Sequence, residues 1–156
     1  MSAVSRLQYP GDGATAEDLL RLAEEYQKAA ELLIKQGQKG APLTWAPCRL
    51  AAIHAIELFL SALLRHNGNE ASEIRGMQHD LGKRAERAMH IGLRLRKRTA
   101  DHLAAMVGSK EYLVIRYGPE MTATVSQINR LTATLNEVAK KVTVMIKNDR
   151  KSLSSG

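Results

Sequence analysis

Arg49 to His66 reads R-L-A-A-I-H-A-I-E-L-F-L-S-A-L-L-R-H, and this stretch decides the fold. It is apolar nearly all round, with one carboxylate, Glu57, near its middle. A surface helix shows a single apolar stripe, whereas a helix apolar on every side needs neighbours on every side. The stretch is therefore predicted as the central helix of a bundle, stopped by Asn67-Gly68.

Working outward, Leu19, Leu22, Ala23, Tyr26, Ala29, Ala30, Leu33 and Ile34 recur at three- and four-residue steps. They predict a helix from about 15 to 36, opened by Thr15 with Asp18 three residues on. Two glycines and two prolines in Gln36–Pro47 mark a connector, with Trp45 expected to fold back as a plug. Residues 69–76 read as a polar loop. Gln78 or Asp80 can then open a helix that runs to about Gly92, and Arg94–Val107 continues as another, with Gly92 either a kink or a break. Tyr112–Tyr117 is β-branched and aromatic, but one strand would have no partner, so an irregular or short helical segment is expected there. The last helix spans about Thr122–Asn148. The expected fold is thus all-α, an antiparallel up-and-down bundle of four to five helices over residues 15–149. Residues 1–14 are expected to form a flexible lead and 150–156 a disordered tail.

The chain has 156 residues, one domain's worth, and aromatics make up only 4%, which also favours helices over a β-sandwich. The single Cys48 excludes an intramolecular disulfide and a thiolate-only metal site. The first residues lack the apolar core of a secretory signal, and no run approaches the roughly 18 apolar residues of a membrane span. A cytoplasmic protein with no membrane partner is expected. Net charge is +7, unevenly placed: residues 1–74 carry seven Lys/Arg and nine Asp/Glu, and residues 75–156 carry sixteen and seven. The excess predicts a basic flank that attracts phosphates.

Chemistry is sought next among the polar side chains. Arg49, Ile53 and Glu57 share a helix face, while His54 is rotated from Arg49 by about 140°. One reading makes His54 a general acid/base and Arg49 a phosphate clamp for metal-independent RNA cleavage. The other makes Glu57 a buried carboxylate held by a partner such as Arg84 or His79, with His54 a satisfied core or interface histidine. His79-Asp80-Leu81 offers a helix cap or a phosphate and proton site. The five histidines never pair at the i, i+4 spacing of helical metal ligands, so neither metal nor cofactor is expected. Arg84, Arg87 and Arg94, with Arg96, Lys97 and Arg98, could meet phosphates or form a solvated face. Walker A, G-x-G-x-x-G and G-x-S-x-G sequences are absent.

Ala55–Gly68 (A-I-E-L-F-L-S-A-L-L-R-H-N-G), Gln78-His79-Asp80-Leu81 and Tyr112–Gly118 (Y-L-V-I-R-Y-G) together resemble HEPN domains. Those domains show A-x-E-x-x-L-K-A-L-L and a glycine, then H-D-L, then Y-x-x-x-R-Y-P. The resemblance extends over about residues 18–145. It implies a helical bundle, frequent homodimers, and roles around nucleotides or RNA, including toxin–antitoxin and defence systems and partnership with nucleotidyltransferases or antitoxins. Glu57, His79, Asp80, Arg116 and Tyr117 look like the family's recurring polar positions, whereas Ser61 replaces its usual Lys and the proline is displaced to Pro119. Ribonuclease members carry Arg and His with four to six residues between, usually on a late helix. Here no His follows Arg116, and Arg49 with His54 is the pair that meets the spacing.

Overall fold

The computed structural model describes residues 8–154; residues 1–7 of the expected lead and 155–156 of the expected tail lie outside them. The described chain is all-α. Its helices are α1 (Ala16–Leu33), α2 (Ala46–His66), α3 (Ala71–Gly76), α4 (Leu81–His90), α5 (Lys97–Gly108), α6 (Glu111–Tyr117) and α7 (Ile128–Ser154). Short 3-10 turns lie at Ile34–Gln36, Pro42–Trp45 and Pro119–Thr124.

The start of α1 is a reciprocal capping box. Thr15 Oγ1 accepts from the Asp18 amide at 3.1 Å, and Asp18 Oδ2 accepts from the Thr15 amide at 2.9 Å, satisfying two amides that the helix leaves open. Helix α2 is the centre of the bundle, touching α1, α3, α4, α6 and α7. Ile56, Phe59, Leu60, Leu63 and Leu64 on it are at most 2% exposed. Each such side chain contributes about 1.5–3 kcal/mol when fully buried. Trp45 folds back as expected, its ring lying directly over the Cα of Gly37, with Nε1 donating to Gln38 O at 3.2 Å.

Contacts at the helix ends set the directions. Arg65 reaches Ala14 O and Cys48 reaches Ala30 O, so α1 and α2 are antiparallel. Gly82 lies against Ala104 and Val107, making α4 and α5 antiparallel. Arg96 meets Glu137 while His102 meets Thr134, which makes α5 and α7 antiparallel as well. Arg49 bonds Ser126 O and His66 bonds Asp149, so α7 runs beside α2 in the same direction.

The structure departs from the sequence expectation at several boundaries. The predicted loop at 69–76 contains α3, whose one buried residue is Ile74, 7% exposed; a single buried residue leaves no periodicity to read. Asp80, not Gln78, caps α4, its Oδ1 accepting from the Lys83 amide at 2.9 Å. Gln78 instead takes the left-handed conformation, φ +51°. Gly92 is a true break. Its φ is +116°, and Leu93 N bonds Ala88 O while Gly92 N bonds Met89 O, a Schellman termination that only glycine enters without strain. Helix α5 therefore starts at Lys97 rather than Arg94. Helix α7 starts at Ile128 rather than Thr122, because Pro119–Thr124 forms its own 3-10 turn. It continues through Ser154, into the stretch expected to be disordered. Pro42–His66 is long and apolar enough to cross a membrane by length and composition, against the expectation that no run approaches this, and 67% of its most apolar window is buried inside the bundle.

Candidate functional site

The polar residues singled out in the sequence separate into three places. The first lies between α2 and α4. Glu57, 13% exposed, sits 3.2 Å from His79 Nδ1 and 3.4 Å from Arg84 Nη2, with His54 Nδ1 3.7 Å away. Burial pushes the Glu57 carboxyl up, but the contact with His54, the Arg84 charge and His79 outweigh it, and the group ends below its usual range. Arg84 was expected at a phosphate. Instead it is buried, its Nε donating to Ser61 Oγ at 3.2 Å, Nη2 to Ile74 O at 3.1 Å and Nη1 to Gln78 O. A guanidinium so occupied ties the end of α3 and the left-handed turn to α2. His79 stacks on Tyr112 at 4.8 Å, and His54 meets the Tyr26 ring edge-on at 4.5 Å. This arrangement corresponds to the reading of Glu57 as a carboxylate held by a partner, here both Arg84 and His79, but His54 is not the satisfied histidine expected, since its Nδ1 makes no hydrogen bond among the described residues.

The second place joins α2 to α6 and the start of α7. Arg49 Nη1 donates to Ser126 O at 2.6 Å and lies 3.6 Å from the wholly buried Glu111. Glu111 also accepts from the Ser126 amide at 2.7 Å and from its hydroxyl at 2.8 Å. Arg49 and His54 thus face different neighbours, α6–α7 for one and α1 for the other, and they do not come together. Arg116 and Tyr117 join Arg49 around a concavity of about 220 Å³, and Tyr117 is 75% exposed. The expected five-residue polar site is accordingly divided: Glu57 and His79 in the first place, Arg116 and Tyr117 in the second, and Asp80 at the α4 cap.

The third place is a groove of about 720 Å³ between the 92–99 segment and α7. Arg94, Arg96, Arg98, Arg130, Lys140 and Lys141 line it, against one carboxylate, Glu137. Glu137 is fully engaged: it accepts from the Arg96 amide at 2.7 Å, the Thr99 hydroxyl at 2.7 Å and Lys141 Nζ at 3.0 Å. Burial raises its carboxyl, and those three donors bring it below its usual range. Arg94, Arg96, Arg98 and Lys140 form no ion pair among the described residues. Lys141 also donates to Arg94 O at 2.6 Å, pinning the non-helical segment to α7. The sequence run 94–98 pointed at one wall of this groove. Arg130, Lys140 and Lys141 were missed, because their common face emerges only when α7 packs antiparallel to α5.

Comparison with protein-family models, curated proteins and solved structures finds no match. Among the described residues no three His, Cys, Asp or Glu side chains converge as a metal centre requires.

Under the groove wall His102 is 7% exposed, its Nδ1 2.7 Å from Thr134 Oγ1 and its Nε2 without a partner. Burial, helped by the Arg130 charge, lowers its pKa from 6.5 to about 4. The folded protein binds this proton less readily than the unfolded chain. Stability is therefore complete above about pH 6.5 and falls as the pH drops toward 4. At about 1.4 kcal/mol per unit, roughly 2 kcal/mol is lost between pH 6.5 and 5. Urea unfolding at pH 7 and pH 5 measures this, and His102→Leu is expected to flatten the difference. The carboxylates Glu57 and Glu137, held below their usual range, stabilise the fold throughout this window and lose that contribution only as the pH falls below the usual carboxylate range.

Proposed function

We propose that the protein binds RNA through its phosphate backbone, using the groove between the 92–99 segment and α7. The observation that carries this reading is the groove's lining, six cationic side chains around one carboxylate that is already neutralised by its own partners. Such a concavity attracts polyanions and releases their counterions on binding. The resemblance to HEPN domains supports RNA as the ligand, while the Arg49–His54 pair has no shared site in which to cleave it.

Filter binding of a labelled single-stranded RNA at 50 and 200 mM salt tests the reading. A single strand loses affinity with a slope of about −0.7 per phosphate contact, so engagement of all six cations predicts a weakening of roughly three-hundredfold across that range. Affinity that is unmeasurable, or indifferent to salt, would remove the proposal.

A further inference from the structure

A second concavity, of about 480 Å³, is lined by Lys83, Glu86, Arg87 and His90 on α4 with Asn69, over a floor of Leu64 and Ile91. Ile91 belongs to the second concavity, and the next residues, Gly92 and Leu93, belong to the first. The two linings are thus adjacent along the chain at the Schellman turn that ends α4. Glu86 is the one carboxylate on the second lining, and from there to Asp101 the chain has no acidic residue. Lys83, Arg87, Arg94 and Lys140 have no ion-pair partner among the described residues.

We propose that the two concavities form one continuous track across the Gly92 turn, and that its ligand is a nucleic-acid strand of several nucleotides rather than a free nucleotide. This rests on the RNA-binding reading of the groove and extends it. Lys83, Arg87 and His90 stand at helical spacing on one face of α4, covering about 10 Å; Arg130 to Lys141 cover about 16 Å along α7. At about 3.4 Å per nucleotide in a stacked strand, the two together are matched by roughly eight nucleotides. A mononucleotide reaches only one of them. No Phe, Tyr or Trp lines either concavity, so the broad stacking platforms of base-reading proteins are missing there. The chemistry recognised is the phosphodiester backbone, which carries no sequence information.

The test uses the full chain and labelled oligouridines of two, four, eight and twelve nucleotides, with the deoxy series run beside them. Affinity is expected to climb with length to about eight nucleotides and then level off. The exposed pair Lys83→Gln/Arg87→Gln should weaken the eight-mer about tenfold and shallow its salt slope by about 1.4, while Arg98→Gln/Lys140→Gln weakens every length. A two-mer that binds as tightly as the eight-mer, or an α4 pair that leaves the eight-mer and its slope unchanged, would overturn the track and leave the groove's RNA binding standing. Loss of all salt-sensitive binding in the unaltered protein would take down both. A deoxy series that climbs with length as the ribo series does supports recognition of phosphates alone, and one without length dependence contradicts it.

Discussion

Replacing Arg84 by methionine is expected to destabilise the fold by about 3–5 kcal/mol, the cost typical of removing one partner from a buried charge network. Arg84 is 4% exposed and holds four groups at once: Ser61, Gln78 O, Ile74 O and Glu57. Methionine fills much of the same volume but leaves the Glu57 carboxylate without its buried countercharge and the two carbonyls without a donor. Urea unfolding followed through Trp45, the single tryptophan, reads the loss directly. Glu57→Gln in the Arg84→Met background should cost less than the sum of the two separate changes, because both act on one network. A loss below about 1 kcal/mol for Arg84→Met would show that the network does not hold α3 and the 77–80 turn in place.

Glu111→Ala is expected to cost about 3 kcal/mol or more by the same mechanism at the other end of α2. Its carboxylate is wholly buried and receives the Ser126 amide and hydroxyl, with Arg49 at 3.6 Å. Truncation leaves a largely buried guanidinium without its countercharge and releases the junction where the 3-10 turn at Pro119–Thr124 leads into α7. Glu111→Gln keeps an acceptor for Ser126 and loses only the charge, so it should fall between the two. Equal stability of the alanine and glutamine variants would show that the charge on Glu111, rather than its grip on Ser126, carries the effect. Near-native stability of the alanine variant would contradict the role altogether.

The central helix was legible because its pattern is physical: an apolar surface on every side of Arg49–His66 leaves no arrangement except burial on every side. Thr15 and Asp18 were legible for a similar reason, as a cap is a local bargain among four residues. Leu93 shows the opposite. Its neighbours 94–98 read as helix, yet the chain turns at Gly92 because Leu93 is drawn into the core, 2% exposed, and the backbone closes on Ala88 and Met89. Ile74 hid α3 in the same way, one apolar contact being too few to make a period.

The candidate site divides along the same line. Arg84 and Arg87 are neighbours in sequence and both basic, but their positions on α4 send one inward to Ser61 and Glu57 and the other outward to solvent. Residue type alone does not separate a structural arginine from a ligand-facing one; the side of the helix that meets α2 does.

By itself the sequence determined the helical class, the identity of the core helix, the capping of α1 and the concentration of positive charge after residue 74. Those are properties of periodicity and composition, which act locally or on the chain as a whole. Only the tertiary structure decided where the charge goes. Bringing α7 antiparallel to α5 sets Arg130, Lys140 and Lys141 opposite Arg94, Arg96 and Arg98. Electrostatic attraction depends on the distance between charges, and residues more than thirty positions apart acquire that distance only when the helices pack.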